Sequence, residues 1–283
     1  MRCPITPQVE RLVELAIEED LGRGDVTTDS LLLEEVSAEG RILAREELVV
    51  CGLELTEYVF ARIGPELSLS ILVADGEEVS AGAELILVTG PAAAMLMAER
   101  TALNFLQRLS GVATATRRYV KLVSATGAKT RVVDTRKTLP GWRILDKWAV
   151  ACGGGGNHRV DLGSGVLIKD NHIAACGSVW EAVKRARRLA PHTLRIEVEV
   201  STLAQLDEAL DAGADIIMLD NMDEEHLAQA VQRTDGRALL EASGNVSRDT
   251  VAAVVLTGVD LVSVGRLTHS ARSVDISMEI TEK

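Results

Sequence analysis

After Gly127 the chain settles into a rhythm that few folds can accommodate: short apolar runs alternate with segments whose apolar residues recur at helical spacing. Candidate strands fall at residues 130–133, 166–169, 194–200, 215–219, 238–241 and 261–264, and helical patterns at 179–189, 203–212, 224–233 and 249–256. Strands this apolar, each followed by a crossover helix, pair in parallel and need helices to cover them. Repeated units of this size favour a barrel over an open sheet. Six strands are fewer than the eight of a closed barrel, which leaves two readings: an incomplete barrel, or a strand that the pattern hides.

The first part has another texture. Thr6-Pro7 has the form of a helix cap followed by proline in the first turn, with Val9, Leu12, Val13, Ala16 and Ile17 on one face and a stop near Gly22. Gly22-Arg23-Gly24-Asp25-Val26-Thr27-Thr28 reads as an ordered turn. Strand signals follow at residues 41–44, 48–51, 67–73 and 85–89, divided by turns such as Ala74-Asp75-Gly76, with little helix between them. That order predicts an antiparallel or mixed sheet. Pro91 opens a long helical pattern that runs past Gly111 to Val123 and joins two domains.

Length and composition place both domains in one soluble globular chain: 283 residues, 47% hydrophobic and 25% charged. No apolar run approaches the roughly 20 residues that cross a bilayer, and the start lacks an apolar signal core, so no membrane partner and a cytoplasmic location are expected. Cys3, Cys51, Cys152 and Cys176 form no C-x-x-C pair, which argues against a disulfide framework or a cysteine zinc site. Cys152 reads as a small buried residue before it reads as a nucleophile, because nothing marks a base for it.

Charge locates the chemistry. Between Lys129 and His172 eight Lys and Arg stand against four Asp, a local +4 in a chain of net charge -12. A basic island in an acidic protein fits a small multiply charged anion; a nucleic-acid partner would call for a whole basic face. The candidate strands also end on polar residues: Asp134 with Arg136 and Lys137, Lys169-Asp170, Glu199, Asp220-Asn221, Glu241 with Ser243-Gly244-Asn245, and Gly265-Arg266. Any one of these has a plain explanation as a loop polar residue or helix cap. Six in succession at one end of a parallel barrel predict a shared site.

Sorted by type, the first two ends bring cations and the next two bring Glu199 and Asp220. Carboxylates beside cations suit a magnesium-bound polyphosphate or sugar hydroxyls. Ser243, Gly244, Asn245, Gly265 and Arg266 occupy the place where barrels build phosphate sites from backbone N–H groups. Gly153–Gly156 lacks dinucleotide or P-loop spacing and is better read as a tight passage that turns His158 and Arg159 inward. Arg136 and Arg159 can each grip a carboxylate with two parallel hydrogen bonds, so a ligand with neighbouring carboxylates fits. His158 is assigned to the site; His172 is assigned to a cap or the core.

Six stretches together closely resemble the quinolinate phosphoribosyltransferase family, also called carboxylating nicotinate-nucleotide pyrophosphorylase. They are Glu99-Arg100-Thr101-Ala102-Leu103-Asn104, Asp134-Thr135-Arg136-Lys137-Thr138, Gly154-Gly155-Gly156-Asn157-His158-Arg159, Ile168-Lys169-Asp170-Asn171-His172, Glu241-Ala242-Ser243-Gly244-Asn245 and Leu267-Thr268-His269-Ser270. Glu19-Asp20 and Gly24-Asp25-Val26-Thr27-Thr28 extend the likeness towards the start. One departure is visible: many members carry an aspartate where Leu162-Gly163-Ser164-Gly165 stands here.

The resemblance implies an α/β fold with an N-terminal α/β sandwich domain over residues 1–111, joined by the tail 271–283, and an incomplete α/β barrel over 112–270. It implies a homodimer in which Arg100 reaches the partner's site. The implied reaction takes quinolinate and phosphoribosyl pyrophosphate, with Mg²⁺, to nicotinate mononucleotide, pyrophosphate and carbon dioxide, a step of NAD biosynthesis. In that scheme Arg136, His158, Arg159, Lys169 and Arg100 hold the two carboxylates. Lys137 stabilises the leaving pyrophosphate. Glu199 and Asp220 bind the ribose hydroxyls, directly or through Mg²⁺, and no protein nucleophile takes part. Three rivals remain: a barrel aldolase using Lys169 as a Schiff base, the pyrophosphorylase-like protein encoded with molybdate transport systems, and a catalytically silent binding protein.

Overall fold

A computed structural model describes residues 2–32 and 36–282. The chain divides into two compact units: Met1–Arg117 with Thr138–Gly154 and Leu267–Lys283, and Arg118–Lys137 with Gly155–Arg266.

In the first unit, helix α1 (Pro7–Leu21) starts as its sequence predicts: the Thr6 side chain accepts the N–H of Val9, and Gly22 ends the helix at φ +46. The expected turn at 22–28 holds the start of a second helix, α2 (Val26–Leu31), because the Asp25 carboxylate caps it by accepting the N–H groups of Thr27 and Thr28 at 3.1 Å each. Then come β1 (Ser37–Ala44), β2 (Leu48–Val49), α3 (Leu53–Ile63), β3 (Ser68–Ile71), β4 (Glu78–Val79) and β5 (Glu84–Pro91). Helix α3 was not expected. Its buried residues Leu53, Leu55, Thr56, Val59 and Phe60 do lie at helical spacing, but in a region rich in strand formers.

The sheet of this unit is antiparallel, as expected, with β1 between β5 and the C-terminal strand Ile276–Glu282, and β3 outside β5. The tail is thus part of this sheet. Helix α4 (Ala92–Ala125) runs unbroken through Gly111. A Cβ on Gly111 would come 2.1 Å from the carbonyl oxygen of Arg272, so only glycine lets the C-terminal segment pass there. Helix α5 (Arg143–Cys152) completes the unit. All four cysteines are free thiols, and Cys152 is buried.

In the second unit, β6 (Arg131–Val133), β7 (Val166–Ile168), β8 (Ile196–Val200), β9 (Ile216–Asp220), β10 (Leu239–Ser243) and β11 (Leu261–Ser263) form one parallel sheet in the order β6-β11-β10-β9-β8-β7. Among the described residues no pairing joins β6 to β7, which makes this the incomplete barrel of the first alternative. At that seam Gly156 forms a single parallel bridge to Val133 on β6. Helices α6 (Asp170–Cys176), α7 (Val179–Leu189), α8 (Leu203–Ala212), α9 (Glu224–Thr234) and α10 (Val251–Leu256) follow the strands, and a short α11 (Arg266–His269) follows β11.

The strands are less uniformly apolar than their sequence suggested, because they alternate. Val198, Ile217, Leu219, Leu240 and Ala242 face a core shared with Val183, Leu206, Leu210 and Leu227 of the helices. Full burial of such side chains contributes roughly 1.5–3 kcal/mol each. The other parity of each strand faces inward and carries the polar residues. Among the described residues, no helix is long and apolar enough to cross a membrane.

Candidate active site

Inward positions two residues apart on successive strands build the site: Leu167 on β7, with Lys169 just beyond it; Glu197 and Glu199 on β8; Met218 and Asp220 on β9; Glu241 and Ser243 on β10; Ser263 on β11. The ladder sets them side by side, pairing Leu167 with Glu197, Glu199 with Met218, Met218 with Glu241, and Asp220 with Ser243. Most of them, with residues from the loops after β6 and β10 and from the glycine run, line a cavity of about 580 Å³. Ten of the thirteen residues assigned from sequence meet there: Arg136, Lys137, His158, Arg159, Lys169, Glu199, Asp220, Ser243, Gly244 and Asn245.

The cation side is organised by Asp134, which is fully buried. Its carboxylate accepts the Asn157 side-chain amide and the His158 backbone N–H, both at 2.8 Å, while the Gly156 N–H donates to the carbonyl of Val132 at 2.8 Å. The glycine run is thereby pinned along β6, and the next two residues face inward, as its reading as a passage predicts. Arg159 is steadied by a 3.0 Å bond to the carbonyl of Gly165. The departing loop closes on itself, its Ser164 hydroxyl accepting the N–H groups of Val160 and Asp161 at 3.0 Å each. Burial first, then the nearby Arg136, pull the Arg159 guanidinium below its ordinary value. An anionic guest would relieve that repulsion. His158 accepts the Arg159 N–H at Nδ1 (2.7 Å), and its Nε2 lies 3.0 Å from Glu197, so both ring nitrogens already face protein groups.

Across the cavity, Lys169 is ion-paired through Nζ to Glu199. Asp220 accepts the side-chain amide of Asn221 at 2.9 Å. Asn221, Gly244 and Asn245 all have left-handed backbone, at φ +55, +90 and +53. They are tied together by the Asn221 N–H to the Ser243 carbonyl (2.9 Å) and by the Asn245 amide to Asn221 Oδ1 (3.2 Å). A Cβ on Gly244 would lie 2.2 Å from that same oxygen. Backbone of this kind presents N–H groups to an anion.

Three assigned residues are placed elsewhere. Gly265 does not line this cavity, and Arg266 borders another one with Arg118, Lys121 and Arg248. Arg100 lies on α4 in the first unit, its exposed side chain 3.9 Å from Glu99. The basic island divides likewise: Arg143 and Lys147 belong to α5 in the first unit. His172 caps α6 by accepting the Lys169 N–H at 3.0 Å, the role expected of it. Glu241, Asn221 and Ser263 line the cavity without having been assigned; two-residue periodicity counted back from each strand end is the signal that finds Glu241 and Ser263.

Comparison with known proteins agrees with this architecture. The family described as quinolinate phosphoribosyl transferase, C-terminal domain, matches residues 112–279, and the N-terminal domain family matches residues 25–110. The chain is 42% identical over 274 residues to the probable nicotinate-nucleotide pyrophosphorylase [carboxylating] of Bacillus subtilis, covering 97% of this chain and 94% of that one. It is 43% identical over 277 residues to the namesake in Methanocaldococcus jannaschii, covering 95% and 96%. In structure it resembles the nicotinate-nucleotide pyrophosphorylase from Francisella tularensis (TM-score 0.92, 39% identity, 98% of each chain) and NadC from Streptococcus pyogenes (TM-score 0.95, 39% identity, 100% of each). With both domain families matched in order and relatives this similar along nearly their whole length, the chain belongs to the quinolinate phosphoribosyl transferase family.

Proposed function

We propose that this chain transfers phosphoribose from phosphoribosyl pyrophosphate to quinolinate with decarboxylation, giving nicotinate mononucleotide, pyrophosphate and carbon dioxide in NAD biosynthesis. The observation that carries this reading is the single cavity in which cations for a dicarboxylate face carboxylates and left-handed backbone for a phosphorylated sugar. Its relatives are named for the same reaction.

Arg136, Arg159 and Lys169 grip the two carboxylates and aim the ring nitrogen at the anomeric carbon, which supplies proximity and alignment. His158 lines this half and orients Arg159 through the bond at Nδ1. Ser243, Gly244 and Asn245, with Gly265 beyond them, offer N–H groups to the sugar phosphate. Lys137 stabilises charge growing on the departing pyrophosphate. Arg266, bordering a different cavity, acts at most from outside. Decarboxylation follows because the quaternised ring nitrogen draws electrons from the adjacent C–CO₂ bond.

Glu199 and Asp220 are the hard oxygen donors that suit Mg²⁺, with Glu199 already shared with Lys169 and Asp220 with Asn221. One or two carboxylates plus donor oxygens is the set this ion prefers, so the residues fit. When bound there, Mg²⁺ supplies charge neutralisation at the pyrophosphate. The same carboxylates bind the ribose hydroxyls and favour positive charge on the ribose.

Arg100, exposed on the first unit, fits a homodimer in which it completes the partner's site. Four free thiols accord with a cytoplasmic setting. The mechanism needs neither a Schiff base nor a protein nucleophile, and Lys169 is ion-paired with Glu199. Arg136→Ala is expected to lower kcat/KM for quinolinate by about 100-fold or more, through loss of a charge-assisted bidentate contact. Unchanged steady-state turnover in that variant would refute the carboxylate assignment.

A further inference from the structure

Three titratable groups converge inside the barrel. Glu197 on β8, Glu241 on β10 and His158 bring their polar atoms within 4.8 Å of one another. The Glu241 side chain is only 2% exposed. His158 Nε2 stands 3.0 Å from Glu197 Oε2 and 3.9 Å from Glu241 Oε1. Nδ1 accepts the Arg159 N–H, which leaves Nε2 to face the two acids. Among the described residues, the buried Glu241 Oε1 has no hydrogen-bond partner. Glu241 and His158 line both the catalytic cavity and a second cavity of about 560 Å³ on the N-terminal side of the strands.

The groups facing Glu241 favour its neutral form. Burial raises its carboxyl most and the charge of Glu197 next, with Asp134 beyond β6 adding to them; His158 and the Ser263 hydroxyl on β11 work the other way, and the balance is about 7. Two buried acids this close relieve their repulsion by holding a proton.

The proposed reaction needs such a proton. Loss of carbon dioxide breaks the bond between ring carbon C2 and the carboxylate carbon and leaves the electron pair on C2. Nicotinate mononucleotide forms only when a proton joins that carbon. Lys169, ion-paired with Glu199, is assigned with the arginines to holding the carboxylates, which leaves Glu241 as the buried acid lining the cavity. We propose that Glu241 is the acid of the decarboxylation step: its O–H bond breaks, the C2–H bond forms, and the carboxylate left behind regains a proton from water in the second cavity, which Glu241 also lines. This assignment rests on the reading of the cavity as the quinolinate site.

Glu241→Gln keeps the shape and removes the acid. The expected result is quinolinate affinity by calorimetry within about twofold of wild type, turnover reduced by about 100-fold, and a kcat that lacks the decline through pH 7 expected of the wild type. Wild-type turnover, or a persisting alkaline decline, would overturn the proposal, and so would loss of quinolinate binding by a folded variant, which would make Glu241 structural. Glu241→Asp, whose carboxyl is one methylene short, covers the case in which the glutamine variant does not fold. There kcat should fall about tenfold, with an unchanged KM and a solvent deuterium isotope effect on kcat; a slow variant without that isotope effect would overturn the proposal. Failure of the site reading has a separate signature: unaltered quinolinate binding in Arg136→Ala.

Discussion

Asp134 holds the cation side of the cavity together, and its sequence context announced only a polar strand end. It is fully buried and fixes Asn157 and the His158 backbone. Asp134→Ala would leave those donors unsatisfied, and we expect a loss of about 2–4 kcal/mol in urea unfolding, with Asp134→Asn losing less. Glu241 predicts a pH dependence of opposite origin. Its folded value, about 7, lies above its ordinary 4.5, so the stability it contributes is fully present below pH 4.5 and is lost as pH rises through 7. Replacement by Gln should flatten the fall in unfolding free energy between these values; an unchanged slope would show that Glu241 is ionised throughout. At this scale the sequence revealed which residues carry charge and which strand ends they occupy. It concealed which of them are buried together, because Glu197 and Glu241 meet only when β8 and β10 curve around one interior.

Elements divide by the clarity of their punctuation. Helix α1, with Thr6, Pro7 and Gly22 at its ends, and helices α7 and α8, with Ser178 and Thr202 as caps, fall at their expected places because cap residues mark them. Helix α3 and the two-residue β4 escaped, the first for want of a side-chain cap and the second for want of length. The loop at Asn221 and Ser243–Asn245 was legible in residue type only; its left-handed backbone comes from the pairing of β9 with β10. Gly111 tests the packing of α4. Alanine there gains about 1 kcal/mol of helix propensity, yet its Cβ would press 2.1 Å from a backbone oxygen that cannot swing aside. Gly111→Ala is therefore expected to destabilise by about 1–3 kcal/mol in a thermal melt; a rise in Tm would contradict the close approach.

For the whole molecule, the alternating rhythm after Gly127 led to a parallel barrel, and the seam between β6 and β7 explains why only six strands were readable. Assembly was not legible from the physical pattern, since an exposed arginine on a helix has no signature of its own. The proposed dimer makes Arg100 testable by mixing subunits. If Arg100 serves the partner's site, a mixture of Arg100→Ala and Lys169→Ala chains regains one working site in each mixed dimer, about a quarter of wild-type activity at random pairing. Recovery of none would place Arg100 in its own subunit's site or in neither. The most direct measurement for the whole account is to supply the purified protein with phosphoribosyl pyrophosphate, Mg²⁺ and either quinolinate or nicotinate, and to follow carbon dioxide and nicotinate mononucleotide together. The expected result is equal amounts of both from quinolinate and no product from nicotinate; mononucleotide from nicotinate, or none from quinolinate, would contradict it.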